Sequence, residues 1–210
     1  MQEISWKDNL RIAWFGCFLT GASISLVIPF MPIFVEQLGI EGDQVAFYSG
    51  LAISVSAISA AFVSPIWGIL ADKYGRKPMM IRAGLAMTIT MGGLAFVPNV
   101  FWLLFLRFLN GVFTGFVPNA TALIASQVPK DRSGYALGTL STGVVAGTLT
   151  GPFVGGFIAE IFGIRNVFLL VGSFLFLAAI LTILFIKENF QPVPKEKALP
   201  TKELFTSVKY

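Results

Sequence analysis

Gly68-Ile69-Leu70-Ala71-Asp72-Lys73-Tyr74-Gly75 is matched 88 residues later by Gly156-Phe157-Ile158-Ala159-Glu160-Ile161-Phe162-Gly163. Both copies read Gly-apolar-apolar-Ala-acid-x-aromatic-Gly, and each closes a long apolar stretch. Glycine and alanine are common in this chain, so chance similarity is the bland alternative. A shared acid and aromatic at fixed positions favour an internal repeat. Two three-helix units in opposite orientation would produce it, a recurrent arrangement among transporters.

A membrane-spanning helix needs about 20 mostly apolar residues. Six stretches qualify: 12–35, 45–71, 81–97, 101–125, 135–159 and 167–186. The third is the shortest. The two repeat copies end the second and fifth. The expected fold is therefore an all-α membrane protein of six transmembrane helices, arranged as two inverted three-helix repeats. The expected organisation is an N-terminus at 1–11, a bundle at 12–186 and the start of a linker at 187–210. That last segment is polar and holds Pro192, Pro194 and Pro200. Its end, 201–210, has the pattern of a short amphipathic helix on the membrane surface. A chain that stops in such a linker reads as incomplete. The first stretch is too long for a signal-peptide core and reads as retained.

Composition agrees. Of the 210 residues 55% are hydrophobic and only 12% are charged, against roughly 25% charged in soluble domains. The 21 glycines suit helices whose backbones approach closely. Histidine is absent, which excludes His-based triads, His–metal sites and imidazole proton shuttles. Cys17 is the only cysteine, so there is no internal disulfide or thiolate cluster, and its apolar surroundings fit inert packing. No GxxxxGK[ST] loop and no intramembrane carboxylate pair is present. No enzyme, metal or cofactor is expected.

Lysine and arginine fix the orientation. Thirteen lie on one side: Lys7 and Arg11, the second loop with Lys73, Arg76, Lys77 and Arg82, the fourth with Lys130 and Arg132, and the tail. The other side has only Arg165, and Arg107 falls inside the fourth stretch. Basic residues stay cytoplasmic, so both termini of this chain are expected inside a cell membrane. The net charge of +4 is then a topology signal, and nucleic acid is not expected as a partner.

Three motifs go further than topology. The second loop reads Gly68-x3-Asp72-Lys73-x-Gly75-Arg76-Lys77. A positive-inside loop explains the basic residues but not Asp72 or the glycine spacing. Gly75 permits a turn with positive φ. Asp72 can bond loop donors or face the positive N-terminus of another helix. The fourth stretch carries Leu103-x3-Arg107-x2-Asn110-Gly111-x3-Gly115. An arginine in hydrocarbon costs at least ~2.5–3.5 kcal/mol on insertion scales. It should therefore face protein or water, unless it snorkels to the nearby outer end. The fifth stretch reads Gly138-x8-Gly147-x3-Gly151-Pro152-x2-Gly155-Gly156. With Gly143, glycines at 147, 151 and 155 form a slowly winding small-residue ridge. Pro152 removes a backbone donor and crowds the Thr148 carbonyl.

These motifs, in this order along nearly the whole chain, resemble those of the major facilitator superfamily, drug:proton antiporter branch. The resemblance implies about twelve helices in two six-helix halves working by alternating access. This chain would be the N-terminal half, with a C-terminal six-helix half missing. It implies a conformational latch at Gly68, Asp72, Lys73, Gly75, Arg76 and Lys77, energy coupling at Arg107 and Gly111, and an antiporter motif at Gly138, Gly147, Gly151, Pro152, Gly155 and Gly156. It implies partners too: the lipid bilayer, small amphipathic drugs such as fluoroquinolones and dyes, and protons moving inward. The first and fourth helices would line the cavity, with Ser23, Phe30, Phe113 and Asn119 as lining residues, each with helix packing as the bland alternative. Pro29 and Pro118 are expected to kink these helices.

The sequence departs from the family pattern in one respect. The first and fourth interiors hold Thr20, Ser23, Ser25, Asn110, Thr114, Asn119 and Thr121, but no acid. The proton carrier is then in the absent half, or is Asp72 or Glu160 near helix ends. The leading expectation is proton-coupled export of amphipathic drugs. The alternatives are a facilitator or symporter of a small metabolite or sugar, and a half-length scaffold that transports nothing. A sugar site would need more Asn, Gln and charged side chains in the cavity.

Overall fold

A computed structural model describes residues 5–190. The expected amphipathic helix at 201–210 and most of the linker lie outside the described residues. Within them, regular structure is entirely helical: α1 (Trp6–Val27), α2 (Met31–Gln37), α3 (Asp43–Tyr74), α4 (Arg76–Gly93), α5 (Val100–Phe113), α6 (Phe116–Gln127), α7 (Ser133–Phe162) and α8 (Ile164–Phe185). Short 3₁₀ turns extend α4 through Phe96 and precede α7 at Lys130–Arg132. Six helical runs are long and apolar enough to cross a membrane, with α5 and α6 together making the fourth.

Two of the expected stretches are interrupted. The first begins at Trp6, where Ser5 caps the Asp8 amide, and ends at Val27. Pro29 sits in the turn that follows, and Pro32 opens α2, so the chain breaks where a kink was expected. The fourth breaks between Phe113 and Phe116 around Gly115, whose φ of 130° is open to glycine alone. Pro118 follows in the first turn of α6. In that first turn its missing N–H breaks no bond within α6, and Thr114, four residues back, is extended rather than helical. A kink was expected here as well.

The repeat has a structural counterpart. Gly75 closes α3 at φ 101°, ψ 161°, and Gly163 closes α7 at φ 85°, ψ 162°. Each glycine amide bonds the carbonyl of the motif alanine, Ala71 at 2.9 Å and Ala159 at 3.1 Å. The next helix starts at once in both copies.

Buried side chains form two stacked clusters. One holds Leu10, Cys17, Met80, Phe116 and Leu123 at the Lys/Arg-rich end, here called the basic end. The other holds Leu26, Phe34, Met91, Leu103 and Phe168 towards the opposite end, with Phe34 and Phe168 rings 4.5 Å apart. α4 and α8 pack antiparallel and close: a Cβ on Gly84 would stand 2.9 Å from that of Ala179. The long helices α3 and α7 are the least buried of the six spans.

Candidate functional site

The glycine ridge of α7 is a seam against α1. A Cβ on Gly143 would lie 2.8 Å from the Trp14 carbonyl oxygen, and one on Gly151 would lie 2.7 Å from that of Ala22. At Gly147 it would run into the Phe18 carbonyl, and at Gly155 into the Leu26 and Phe30 side chains. Register advances in the same direction on both helices, so they run parallel. Pro152 leaves the Thr148 carbonyl without its helical donor, and the Ser25 hydroxyl of α1 donates to it at 2.7 Å. The Trp14 indole donates to the Thr142 hydroxyl at 3.0 Å. Gly138 and Gly156, in the same motif, have nothing within 4 Å of an added Cβ, and neither does Gly68. Among the described residues, no helix lies against these three.

Arg107 does not snorkel. It is 6% exposed, and its Nε donates to the Ala52 carbonyl of α3 at 3.1 Å. In return, Ser56 donates to the Arg107 carbonyl at 2.7 Å and Ser59 to the Phe108 carbonyl at 3.0 Å. Gly111 makes this crossing possible, since any Cβ there would collide with Ser59 Oγ and the Ser56 carbonyl. Asn110 accepts from Thr90 at 3.2 Å. The two residues expected to couple energy thus sit in a bonded α3–α5 crossing, walled off from open space.

At the basic end, Asp72 pairs with Arg76 one turn on and is otherwise exposed. Sequence reasoning missed the residue beside them. Glu188, just past α8, accepts from the backbone amides of Arg76 and Lys77 at 2.8 Å each. It caps the N-terminus of α4, where partial positive charge collects. Lys77 Nζ returns the favour, donating to the Ile183 carbonyl in the last turn of α8 at 3.0 Å. An added Cβ on Gly75 would sit 2.8 Å from Glu188 Oε2. Asn9 and the Lys187 backbone exchange two hydrogen bonds, at 2.6 and 3.0 Å, and Gln127 also donates to the Lys187 carbonyl. Only the antiparallel placement of α4 and α8 brings Glu188 to the loop, and no pattern in the sequence announces it. At the opposite end, the lone Arg165 bonds the Ala95 carbonyl at 2.8 Å and that of Val97 at 3.3 Å.

The four residues expected to line a cavity divide. Ser23 has no exposed surface and its hydroxyl bonds the Leu19 carbonyl, so here it is a packing residue. Phe30 lies over Gly155 and keeps some exposed surface. Phe113 is half-buried at the break, its ring 6.4 Å from that of Trp67. Asn119 is buried and donates to the Gly115 carbonyl at 2.7 Å, bracing the start of α6. A cleft of about 530 Å³ opens elsewhere, at the basic end between α1 and α7, lined by Arg11, Trp14, Arg132 and Tyr135 among others.

Six spans, a repeated helix–glycine–helix corner, a glycine seam and a broken fourth span define a polytopic helical membrane protein. The sequence matches the Major Facilitator Superfamily over residues 13–209, and the chain belongs to that family. It is 87% identical to the multi-drug resistance efflux pump PmrA of Streptococcus pneumoniae over all 210 residues, which cover 53% of that protein. It is 57% identical to the PmrA homolog of Lactococcus lactis, covering 99% of this chain and 51% of the relative. It is 50% identical to the multidrug resistance protein MdtG of Proteus mirabilis, covering 98% and 51%. The chain therefore spans about half the length of the curated relatives it matches. The fold is that of the human organic anion transporter MFSD10, at TM-score 0.78 and 16% identity over 96% of this chain and 53% of that one. It is also that of the POT family transporter PepTSo, at TM-score 0.79 and 16% identity over 91% and 40%.

Proposed function

We propose that this chain is the N-terminal six-helix half of a proton-coupled multidrug exporter of the cell membrane, with its basic end cytoplasmic. The observation that carries the reading is 87% identity to a multidrug efflux pump along every residue of the chain. Physical features support it. Gly68, Gly138 and Gly156 on the two least buried helices leave room for backbone approach from outside the bundle, as a second half would need. Asp72, Lys73 and the Arg76–Lys77 turn stand at the rim of that face as a conformational latch. Arg107 and Gly111 hold the α3–α5 crossing and would couple energy through it. Phe30, Phe113 and Asn119 flank the pathway on α1–α2 and α5–α6, while Ser23 supports it from behind. Asp72 and Glu160 are the candidate proton carriers of this half.

The test joins this chain to the second half of the pneumococcal relative in an efflux-deficient host. Dye and fluoroquinolone accumulation should fall, and a protonophore should restore it. Unchanged accumulation at verified membrane levels overturns the export reading. Export that survives collapse of the proton gradient overturns the coupling. For orientation, a cysteine at Gly42 should react with an impermeant reagent in intact cells and one at Ser133 only after permeabilisation. The reverse order overturns the assignment of sides.

A further inference from the structure

The break in the fourth span creates an accounting problem for backbone carbonyls. In an unbroken helix Val112 would bond the amide of residue 116 and Thr114 that of residue 118. The break removes the first donor, and Pro118 never supplies the second. In a bilayer such groups find no water and must be satisfied within the protein. Two side chains from other helices do so. The Trp67 indole of α3 donates to the Val112 carbonyl at 2.6 Å. Arg82 Nη2 of α4 donates to the Thr114 carbonyl at 3.1 Å. The guanidinium also lies over the Trp67 ring, with its carbon 3.4 Å from the ring centroid.

Arg82 counts, by sequence, among the basic residues that set topology. The structure uses it differently. It lies about 9 Å along α4 from Arg76 at 1.5 Å per residue. The joint it reaches is about 18 Å along α6 from the basic end. The side chain therefore extends towards the middle of the bundle rather than out to the polar end. Its charge lies at the C-terminus of α5, where a cation is favoured. Among the described residues its Nε and Nη1 are buried without a hydrogen-bond partner, a cost accepted for holding this position. Gly115, at φ 130°, supplies the backbone conformation that the joint requires.

We propose that Arg82 and Trp67 form a clasp that fixes the α5–α6 joint and, through it, determines substrate specificity. Arg82 acts as a positioning residue: it sets where Phe113 and Asn119 stand on either side of the joint. This rests on the reading of α5–α6 as a wall of the transport pathway.

Two measurements separate the clasp from that reading. In the first, the 210-residue chain in membranes carries the reporter Val117→Cys, with buried Cys17 as the unreactive background. Arg82→Gln and Trp67→Phe should each raise the maleimide labelling rate about tenfold or more, since a buried bond to a charged group is lost or its support removed. Arg82→Lys, which keeps the charge but not the plane, should fall between. Labelling rates equal to the parent's in Arg82→Gln and Trp67→Phe overturn the clasp whether or not the chain transports anything. In the second, the fused full-length transporter exports a small and a bulky dye. Arg82→Lys should change the ratio of their KM values about threefold or more while kcat for the better substrate stays within about twofold. A parental KM ratio alongside raised labelling overturns the specificity role.

Discussion

Replacing Gly147 with alanine adds one methyl group to the α1–α7 seam, and its cost follows from the geometry. The new Cβ would stand 2.7 Å from the Ala22 amide nitrogen, where ordinary contact begins near 3.4 Å, and closer still to the Phe18 carbonyl oxygen. Neither neighbour is a flexible side chain, so the two helices must part by about 1 Å or the seam must shear. Overpacking of this kind costs about 1–3 kcal/mol. Alanine returns up to about 1 kcal/mol through its better helix propensity. Gly156→Ala carries the same propensity gain and meets nothing within 4 Å. The two variants should therefore differ by roughly 2 kcal/mol, in opposite directions from the parent. At about 2–4 °C per kcal/mol for a chain of this size, the melting temperatures in detergent should stand several degrees apart. Cys17 provides the assay, because it is the only thiol and is fully buried, so a thiol-reactive fluorophore reports its exposure on heating. If the two variants melt together, or Gly147→Ala melts above Gly156→Ala, the ridge is not a packed seam.

Three further outcomes are expected. Asp72→Asn should leave the melt of this chain nearly unchanged, since an exposed pair with Arg76 contributes ~0–1 kcal/mol, yet lower export several-fold in the fused transporter; wild-type export would return Asp72 to the status of a loop acid. Glu188→Gln should speed hydrogen exchange at the Arg76 and Lys77 amides about tenfold by weakening two charge-assisted bonds worth ~1–2 kcal/mol together, and unchanged exchange there would mean that the carboxylate does not hold the loop. Ser25→Ala should lower stability by ~1 kcal/mol because the Thr148 carbonyl loses the hydroxyl that stands in for the donor Pro152 lacks, whereas a fully neutral substitution would imply that another donor serves that carbonyl.

What was legible in the sequence follows the reach of each signal. The six spans were legible because hydrocarbon demands long apolar runs, and the α7 seam because its glycines recur within one helix. The broken fourth span was not. Residues 101–125 read as one span with a kink expected at Pro118, and the full break just before it is hidden because Gly115, at φ 130°, is one of many glycines. The first stretch, 12–35, concealed its end for a related reason: Pro29 reads as a kink in a continuous helix, whereas the chain turns there and Pro32 opens α2. Arg82 was read by composition, as a topology charge, and Glu188 lay unremarked in the polar segment after the last stretch. Their partners are backbone groups 32 and 112 positions away, and no local pattern encodes such pairings. Ser23 erred in the other direction, since a serine in an apolar helix looks like a handle and here bonds its own turn.

Each proline-freed carbonyl described above is answered by a side chain from a neighbouring helix: Thr148 by Ser25 and Thr114 by Arg82. The α3–α5 crossing is closed by hydroxyls on the carbonyls of Arg107 and Phe108, and the basic end by Glu188, Lys77 and Asn9. Sliding any of these helices against its neighbour would orphan polar groups in an environment without water, at roughly 1–3 kcal/mol for each group, and would drive glycine seams into backbone. Sliding the whole bundle orphans none of them. Its outer faces on α3 and α7 carry the glycines with free space, Gly68, Gly138 and Gly156, and the exposed acid Asp72 at their rim. On the proposed reading as half of a transporter, a rearrangement repeated in every cycle is cheapest at those faces, and the proposed clasp of Arg82 on the α5–α6 joint is an interior point where a change of partner would let a wall adjust.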